Sequence, residues 1–147
     1  TGKENYTATF CVPYEPGTLK AVNSKGKEEF VLKTAGEPAA IRLIADRSKI
    51  KACKNDLSYV KIELVDKNGN VVPETSLPVK IECTGKGTVI AGGNAAYADM
   101  ESFRSLTPNT FRGKAIAIVQ PDGEKGDIQV KVSAKGLEDA SIVITTY

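Results

Sequence analysis

The chain contains no histidine and no tryptophan. Without histidine it lacks the commonest general base, the commonest metal ligand and the usual partner of a serine or cysteine nucleophile. Without tryptophan, and with aromatic residues at only 6%, it has few of the broad apolar rings on which sugar faces stack. Cysteine is scarce as well: Cys11, Cys53 and Cys83 are an odd number with no CxxC spacing, which speaks against a disulfide framework or a zinc site. Cys83 falls in phase with Val79 and Ile81 and reads as a small buried hydrophobe. No apolar run approaches the roughly 20 residues needed to cross a bilayer, and no leader-like segment opens the chain at Thr1, as expected of a mature or excised piece of a longer protein. Neither sign of charge dominates: 20 basic residues against 18 acidic ones leave +2 in 147 residues. A nucleic-acid partner would want a basic stripe with interleaved aromatics, and none is visible.

Strand signals fill most of the chain. The stretch SYVKIELVDKNGNVVP, Ser58–Pro73, alternates Val60, Ile62 and Leu64 with polar positions, the period of a strand with one buried face. It runs into Asp66-Lys67-Asn68-Gly69-Asn70, where Asn-Gly predicts a hairpin turn with positive φ at both residues and a return strand at Val71-Val72. Further strands are predicted at Asn5–Val12, Thr18–Val22, Glu28–Thr34, Ile41–Ala45, Leu77–Cys83, Thr88–Ala91, Ala115–Gln120, Ile128–Ala134 and Ala140–Thr146. No segment carries a helical 3.6 period. Short strands separated by turn chemistry imply an all-β sandwich of immunoglobulin type. Ala35-Gly36-Glu37-Pro38 punctuates the chain and places a domain boundary, with residues 1–36 before it and 37–147 after it. The predicted core holds Ile41, Leu43, Val60, Ile62, Leu64, Val79, Ile81, Ile128, Val130, Val132, Ile142 and Ile144. The strands before the boundary put Tyr6, Ala8, Phe10, Leu19, Ala21, Phe30 and Leu32 on one apolar face that so few strands cannot bury by themselves.

The one irregular region, residues 92–112, is longer than most loops in compact domains, and such loops are often functional. Its candidate ligand contacts are Asn94, Tyr97, Asp99, Glu101, Phe103 and Arg104, although its aromatics, Phe111 included, are better suited to packing the loop onto the sandwich. Asp99 and Glu101, at i and i+2, could form a carboxylate pair, yet no barrel mouth is present to set one across a sugar cleft. Asp66-x-Asn68-x-Asn70 opens like a calcium loop, but the sixth position is Val71 and the twelfth Leu77 where glycine and glutamate belong. Hairpin chemistry explains it better. Asn5-Tyr6-Thr7 matches a glycosylation sequon, which a bacterial origin would make incidental. The reading is therefore of no catalytic residue, no cofactor and no metal.

VPYEPGTLKAV at Val12–Val22 and KTAGEPAAIRLIADRSKIKA at Lys33–Ala52 resemble the C-terminal region of bacterial glycoside hydrolase family 2 β-galactosidases. Asp56–Pro73, Phe111–Gln120 and Gly126–Thr145 continue the resemblance in order. It departs from the family pattern at Ala52-Cys53-Lys54 and at Gly93-Asn94-Ala95-Ala96. The resemblance implies that residues 1–36 are the last strands of a truncated accessory β-sandwich and 37–147 an invasin/intimin-like immunoglobulin domain. It implies a parent enzyme hydrolysing glycosides with two glutamates on a (β/α)₈ barrel of roughly 200–250 residues. Such a barrel is not encoded here. The chain is thus expected to be a non-catalytic structural module of a periplasmic or extracellular bacterial glycosidase, with the rest of the parent as partner. Two alternatives stay open: a carbohydrate-binding module using the 92–112 loop, and an adhesin-like domain that engages a protein. No membrane partner is expected, and a homodimer through residues 1–36 would be a product of truncation.

Overall fold

The computed structural model describes residues 2–4, 7–23 and 26–147. They form strands and, among the described residues, no helix: β1 (Gly2–Glu4), β2 (Thr7–Thr9), β3 (Thr18–Val22), β4 (Glu29–Lys33), β5 (Ala40–Ala45), β6 (Lys49–Ile50), β7 (Ser58–Val65), β8 (Val79–Gly85), β9 (Gly87–Gly93), β10 (Lys114–Pro121), β11 (Gly126–Ala134) and β12 (Ala140–Thr146). Packing divides the chain into two compact units, Thr1–Thr34 and Ala35–Tyr147. Gly36 belongs with the second, because its N–H donates to Asp66 Oδ2 at 2.9 Å.

In the first unit β1 and β2 pair antiparallel, from Gly2↔Thr9 to Glu4↔Thr7. The single strand predicted over Asn5–Val12 is thus replaced by a hairpin that stops at Thr9. Alternation marks residues as extended, but unpaired backbone groups need a partner, and the nearest one along the chain is Gly2–Glu4. Asn5 and Tyr6 lie outside the described residues, as does the side chain of Ala8. β3 and β4 form the expected hairpin, in a register that sets Leu19 beside Leu32 and Ala21 beside Phe30. Leu19, Phe30 and Leu32 are all more than half exposed, as is Phe10.

The second unit is a sandwich of two four-stranded sheets, ordered β5-β7-β10-β9 and β6-β12-β11-β8. All pairings are antiparallel except β6 with β12. Val60, Ile62 and Leu64 of β7 are fully buried against Val79 and Ile81 of β8, Ile128, Val130 and Val132 of β11 and Ile144 of β12. Every residue of the predicted core lies in this cluster, with Leu43 and Ile142 half-buried at its margin. Burial of each such aliphatic side chain stabilises the fold by roughly 1.5–3 kcal/mol. The sequence pattern missed β6, whose Ile50 is 1% exposed, since a two-residue strand has no period to read. On one side the chain leaves the first sheet after β5, bends at Asp46–Ser48 and joins the second as β6. Asp46 Oδ1 holds the bend by accepting from the Tyr59 N–H at 2.8 Å and from buried Ser58 Oγ at 3.2 Å. Arg47 donates to Asp56 Oδ1 at 2.6 Å and to the Leu57 carbonyl. The Lys51 N–H first, and then Arg47, hold the Asp56 carboxyl below the usual range.

At the end of β7 the expected turn forms, with different geometry. Gly69 donates to the Asp66 carbonyl at 3.0 Å and Asp66 to that of Asn70 at 2.9 Å. Gly69 has φ of 79°, while Arg112 is the sole described non-glycine residue at positive φ. Asn68 is therefore in an ordinary conformation, and the loop is a turn closed by a left-handed glycine, the three-residue hairpin type. Val71 makes one bridge to Val65 instead of opening a return strand. Asp66 is the reason: buried at 4% exposure, its Oδ1 accepts from the Asn68 and Asn70 N–H groups at 2.9 and 2.8 Å, and its Oδ2 from Gly36 and the Asn70 amide at 2.9 and 3.1 Å. That fourfold demand bends the backbone around one carboxylate and leaves no length for a ladder.

Ile62→Ala should destabilise the second unit by about 2–5 kcal/mol through the cavity it leaves, read from the urea midpoint at constant slope. Asp66 yields a pH-dependent prediction. The Gly36 N–H and then the Asn70 amide hold its pKa down to about 2. A folded value below the unfolded one means the carboxylate stabilises the fold fully above about pH 4, and the contribution fades as pH falls toward the folded value. Asp66→Asn should therefore flatten the loss of stability between about pH 4 and pH 2; denaturation curves at fixed pH that keep the wild-type slope would refute this role.

Candidate functional site

The loop after β9 carries the six candidate residues, and its backbone places them in two groups. Asn94 is half-buried and donates from Nδ2 to Asp99 Oδ2 at 2.5 Å and to the Asn109 carbonyl at 2.9 Å, while its Oδ1 accepts from the Ala96 N–H at 2.7 Å. Asp99 Oδ1 accepts from the Glu101 N–H at 2.9 Å. Asn94, Asp99 and Glu101 thus come together as a local cap with Phe103 beside them. The Phe103 ring lies over Gly93, where a Cβ would sit 2.7 Å from it. The recess among Gly92, Asn94, Asp99, Glu101 and Phe103 encloses only ≈30 Å³, room for about one water. Tyr97 stands apart, 99% exposed, and exposed Arg104 donates its N–H to Ser102 Oγ at 3.2 Å.

Beyond these residues the loop runs along the other open side of the sandwich. Val79 and Ile81 of β8 donate to the carbonyls of Pro108 and Leu106 at 3.0 and 2.8 Å, and Gly92 of β9 donates to that of Phe103 at 2.7 Å. Thr110, 1% exposed, trades bonds with Leu77 through its N–H at 2.8 Å and Oγ1 at 2.9 Å, and its carbonyl accepts from Ser76 Oγ at 2.7 Å. Segment 103–110 therefore covers the edges of both sheets at once.

The larger recess lies where the loop returns to β10. Phe111 and Lys114 exchange N–H···O bonds of 2.8 and 3.0 Å around Arg112 and Gly113, whose φ angles are 51° and 71°. This is a two-residue turn with both central residues left-handed, the geometry expected of Asn68-Gly69. Gly113 is clamped from both sides, its N–H on the Thr75 carbonyl and its own carbonyl accepting from Leu64, and a Cβ there would meet Val72 O at 2.3 Å. Arg112, with its guanidinium 5.6 Å from the Phe111 ring centroid, holds a conformation that costs an L-residue about 1–2 kcal/mol. Around the turn Val71, Pro73, Ala95, Phe111, Lys114 and Ile116 line an open, mainly apolar groove of ≈580 Å³, the size of small-ligand and side-chain pockets. Sequence reasoning missed it because its walls come from three separate segments; the one available signal was a non-glycine residue before Gly113 in FRGK. Cys83, half-buried with its Sγ 3.6 Å from the Gly87 carbonyl, has its thiol pKa pushed up by burial, the state of an unreactive cysteine. Arg112→Asn should raise stability by about 0.5–1 kcal/mol, as relief of the left-handed penalty exceeds the lost cation–π contact. Thermal unfolding of the variant checks it.

Residues 41–143 match the model of glycoside hydrolase family 2 C-terminal domain 5. A β-galactosidase of Bacteroides ovatus is 32% identical over 145 residues, 97% of this chain and 17% of its own length. A solved family 2 glycosyl hydrolase from Bacteroides cellulosilyticus superposes with a TM-score of 0.85 at 39% identity, over 91% of this chain and 19% of that one. A β-glycosidase from Bacteroides vulgatus shares the fold, with a TM-score of 0.85 at 24% identity over 92% of this chain and 18% of its own. The chain therefore spans less than a fifth of these relatives. It belongs to glycoside hydrolase family 2 and is the C-terminal region of such a protein.

Proposed function

We propose that the chain is a non-catalytic accessory module of a β-galactosidase-type family 2 glycosidase, and that it stabilises or orients the catalytic part. One observation carries this reading: three carboxylates at bends and loops are tied up as backbone caps, and buried Glu63 is paired with Arg42. Asp46, Asp66 and Asp99 each accept from main-chain N–H groups. The single candidate carboxylate pair, Asp99 and Glu101, borders a recess of ≈30 Å³, far below the roughly 300 Å³ at which ligand pockets begin. A glycosidase needs two carboxyl groups facing each other across space for a sugar ring, and the low pKa of Asp66 is the opposite of what a general acid requires. The β3–β4 hairpin, with its apolar face open, fits the end of an accessory sheet whose other strands the parent supplies.

Removing residues 35–147 from the parent enzyme should lower its unfolding temperature or its kcat/KM. The purified 147-residue chain should cleave no aryl β-galactoside and release no heat with oligosaccharides. Hydrolysis that co-purifies with the chain and disappears in Asp99→Ala or Glu101→Ala would overturn the reading.

A further inference from the structure

We propose that the outer face of the β5-β7-β10-β9 sheet, with the groove beside Phe111–Lys114, docks on the rest of the parent glycosidase chain, against an apolar surface rimmed by carboxylates. The proposal rests on the accessory reading above and names the face that serves it. Strand register assembles the face in rows. Arg42, Glu63 and Lys114 form one, Ile44, Lys61 and Ile116 the next, and Tyr59, Ile118 and Ala91 the third. Ile44, Tyr59 and Ile116 are 37–41% exposed, and Ile116 also walls the groove. The outer face of the other sheet differs. There Lys80 pairs with Glu82 at 2.8 Å and Lys131 with Asp139 at 2.7 Å, with Gln129 and Ser141 between them and Val143 as the one large exposed hydrophobe. The two outer faces thus differ in character, and the aliphatic one is the surface that gains by being covered.

Charge identifies the occupant. The chain as a whole carries +2, yet this face and its groove gather Arg42, Lys61, Arg112 and Lys114 against Glu63 alone. Arg42 already engages Glu63 Oε2 through Nε and Nη2, at 2.9 and 2.7 Å. A second copy would set these cations against themselves, whereas an apolar surface with an acidic rim complements them. Four strands at about 4.8 Å spacing and about 20 Å length offer roughly 400 Å² per side. Both sides together fall within the roughly 600–1,500 Å² of interfaces between domains of one chain and short of the roughly 1,200–2,000 Å² of stable dimers. Relatives several times longer than this chain show that a parent of this length has ample further chain to supply a neighbour.

Amine acylation read by mass spectrometry tests this, comparing the isolated 147-residue chain with the intact parent enzyme. Lys61 and Lys114 report on the proposed face, and Lys80 and Lys131 on the opposite one. The expected result is a several-fold loss of labelling at Lys61 and Lys114 in the intact enzyme, with Lys80 and Lys131 unchanged. Ile116→Asp in the intact enzyme should restore that labelling, while leaving the unfolding midpoint of the isolated chain near wild type. Equal labelling of Lys61 and Lys114 in both forms, or protection confined to Lys80 and Lys131, would overturn the docking face. The accessory reading would then stand or fall separately, on the truncated enzyme. Protection that already appears in the isolated chain and grows with its concentration would assign the face to a second copy and equally overturn the proposal.

Discussion

Two open four-stranded sheets stacked as a sandwich leave four edge strands, and each edge offers unpaired N–H and C=O groups to any passing strand. Most of the irregular structure in the second unit answers that constraint. On one side both edges belong to a single segment, which pairs with β7 as β5, bends at Asp46, and pairs with β12 as the two-residue β6, so that this edge of the second sheet is very short. On the other side no regular strand is available, and the carbonyls of segment 103–110 accept from the N–H groups of β8 and β9 together. The length of the loop after β9 follows from the distance it must cover. Its buried Thr110 and the ring of Phe103 over Gly93 follow from the close approach of its backbone to both edges.

Covering edges with loops creates bends, and bends leave main-chain donors facing inward. Short carboxylates meet them. Asp46 closes the bend between β5 and β6, Asp66 gathers the turn after β7 with Gly36, and Asp99 caps the loop after β9. Asp66, which accepts from the N–H groups of Gly36, Asn68 and Asn70, is stabilised in its charged form, which suits a structural anchor and not a proton donor. The Arg42–Glu63–Lys114 row extends the same logic across three strands, since Glu63 is buried and its charge is balanced from both neighbours. Among the described residues left-handed strain at a non-glycine falls on Arg112, where the chain must reverse within two residues to enter β10 beside a clamped Gly113. That reversal also makes the groove, because it carries Phe111 and Arg112 out of the sheet plane next to Val71 and Pro73.

Alternation along the chain is enough to show which residues are extended and which side of each long strand is apolar. Val60, Ile62 and Leu64, or Ile128, Val130 and Val132, could be assigned to a core because alternation is a property of one strand alone. Residue types show as well that Asp66–Asn70 turns and that a long irregular loop follows, although that loop begins after Gly93 and not at Gly92, since both glycines pair with β10 as the end of β9. The tertiary structure decided what depends on neighbours distant in sequence. Asn68-Gly69 took the geometry that the Asp66 carboxylate imposed, and the tight left-handed turn fell to Arg112-Gly113, because Gly113 is gripped between Thr75 and Leu64. Val71 keeps a single bridge to Val65 because the Asp66 carboxylate draws the turn around itself. The character of the sheet surfaces was the least legible feature of all. Ile44, Lys61 and Ile116 are unremarkable one at a time, each a lone outward residue on its own strand. Only hydrogen-bonded pairing places them side by side, and an apolar face, unlike an apolar period, exists only once the strands are neighbours.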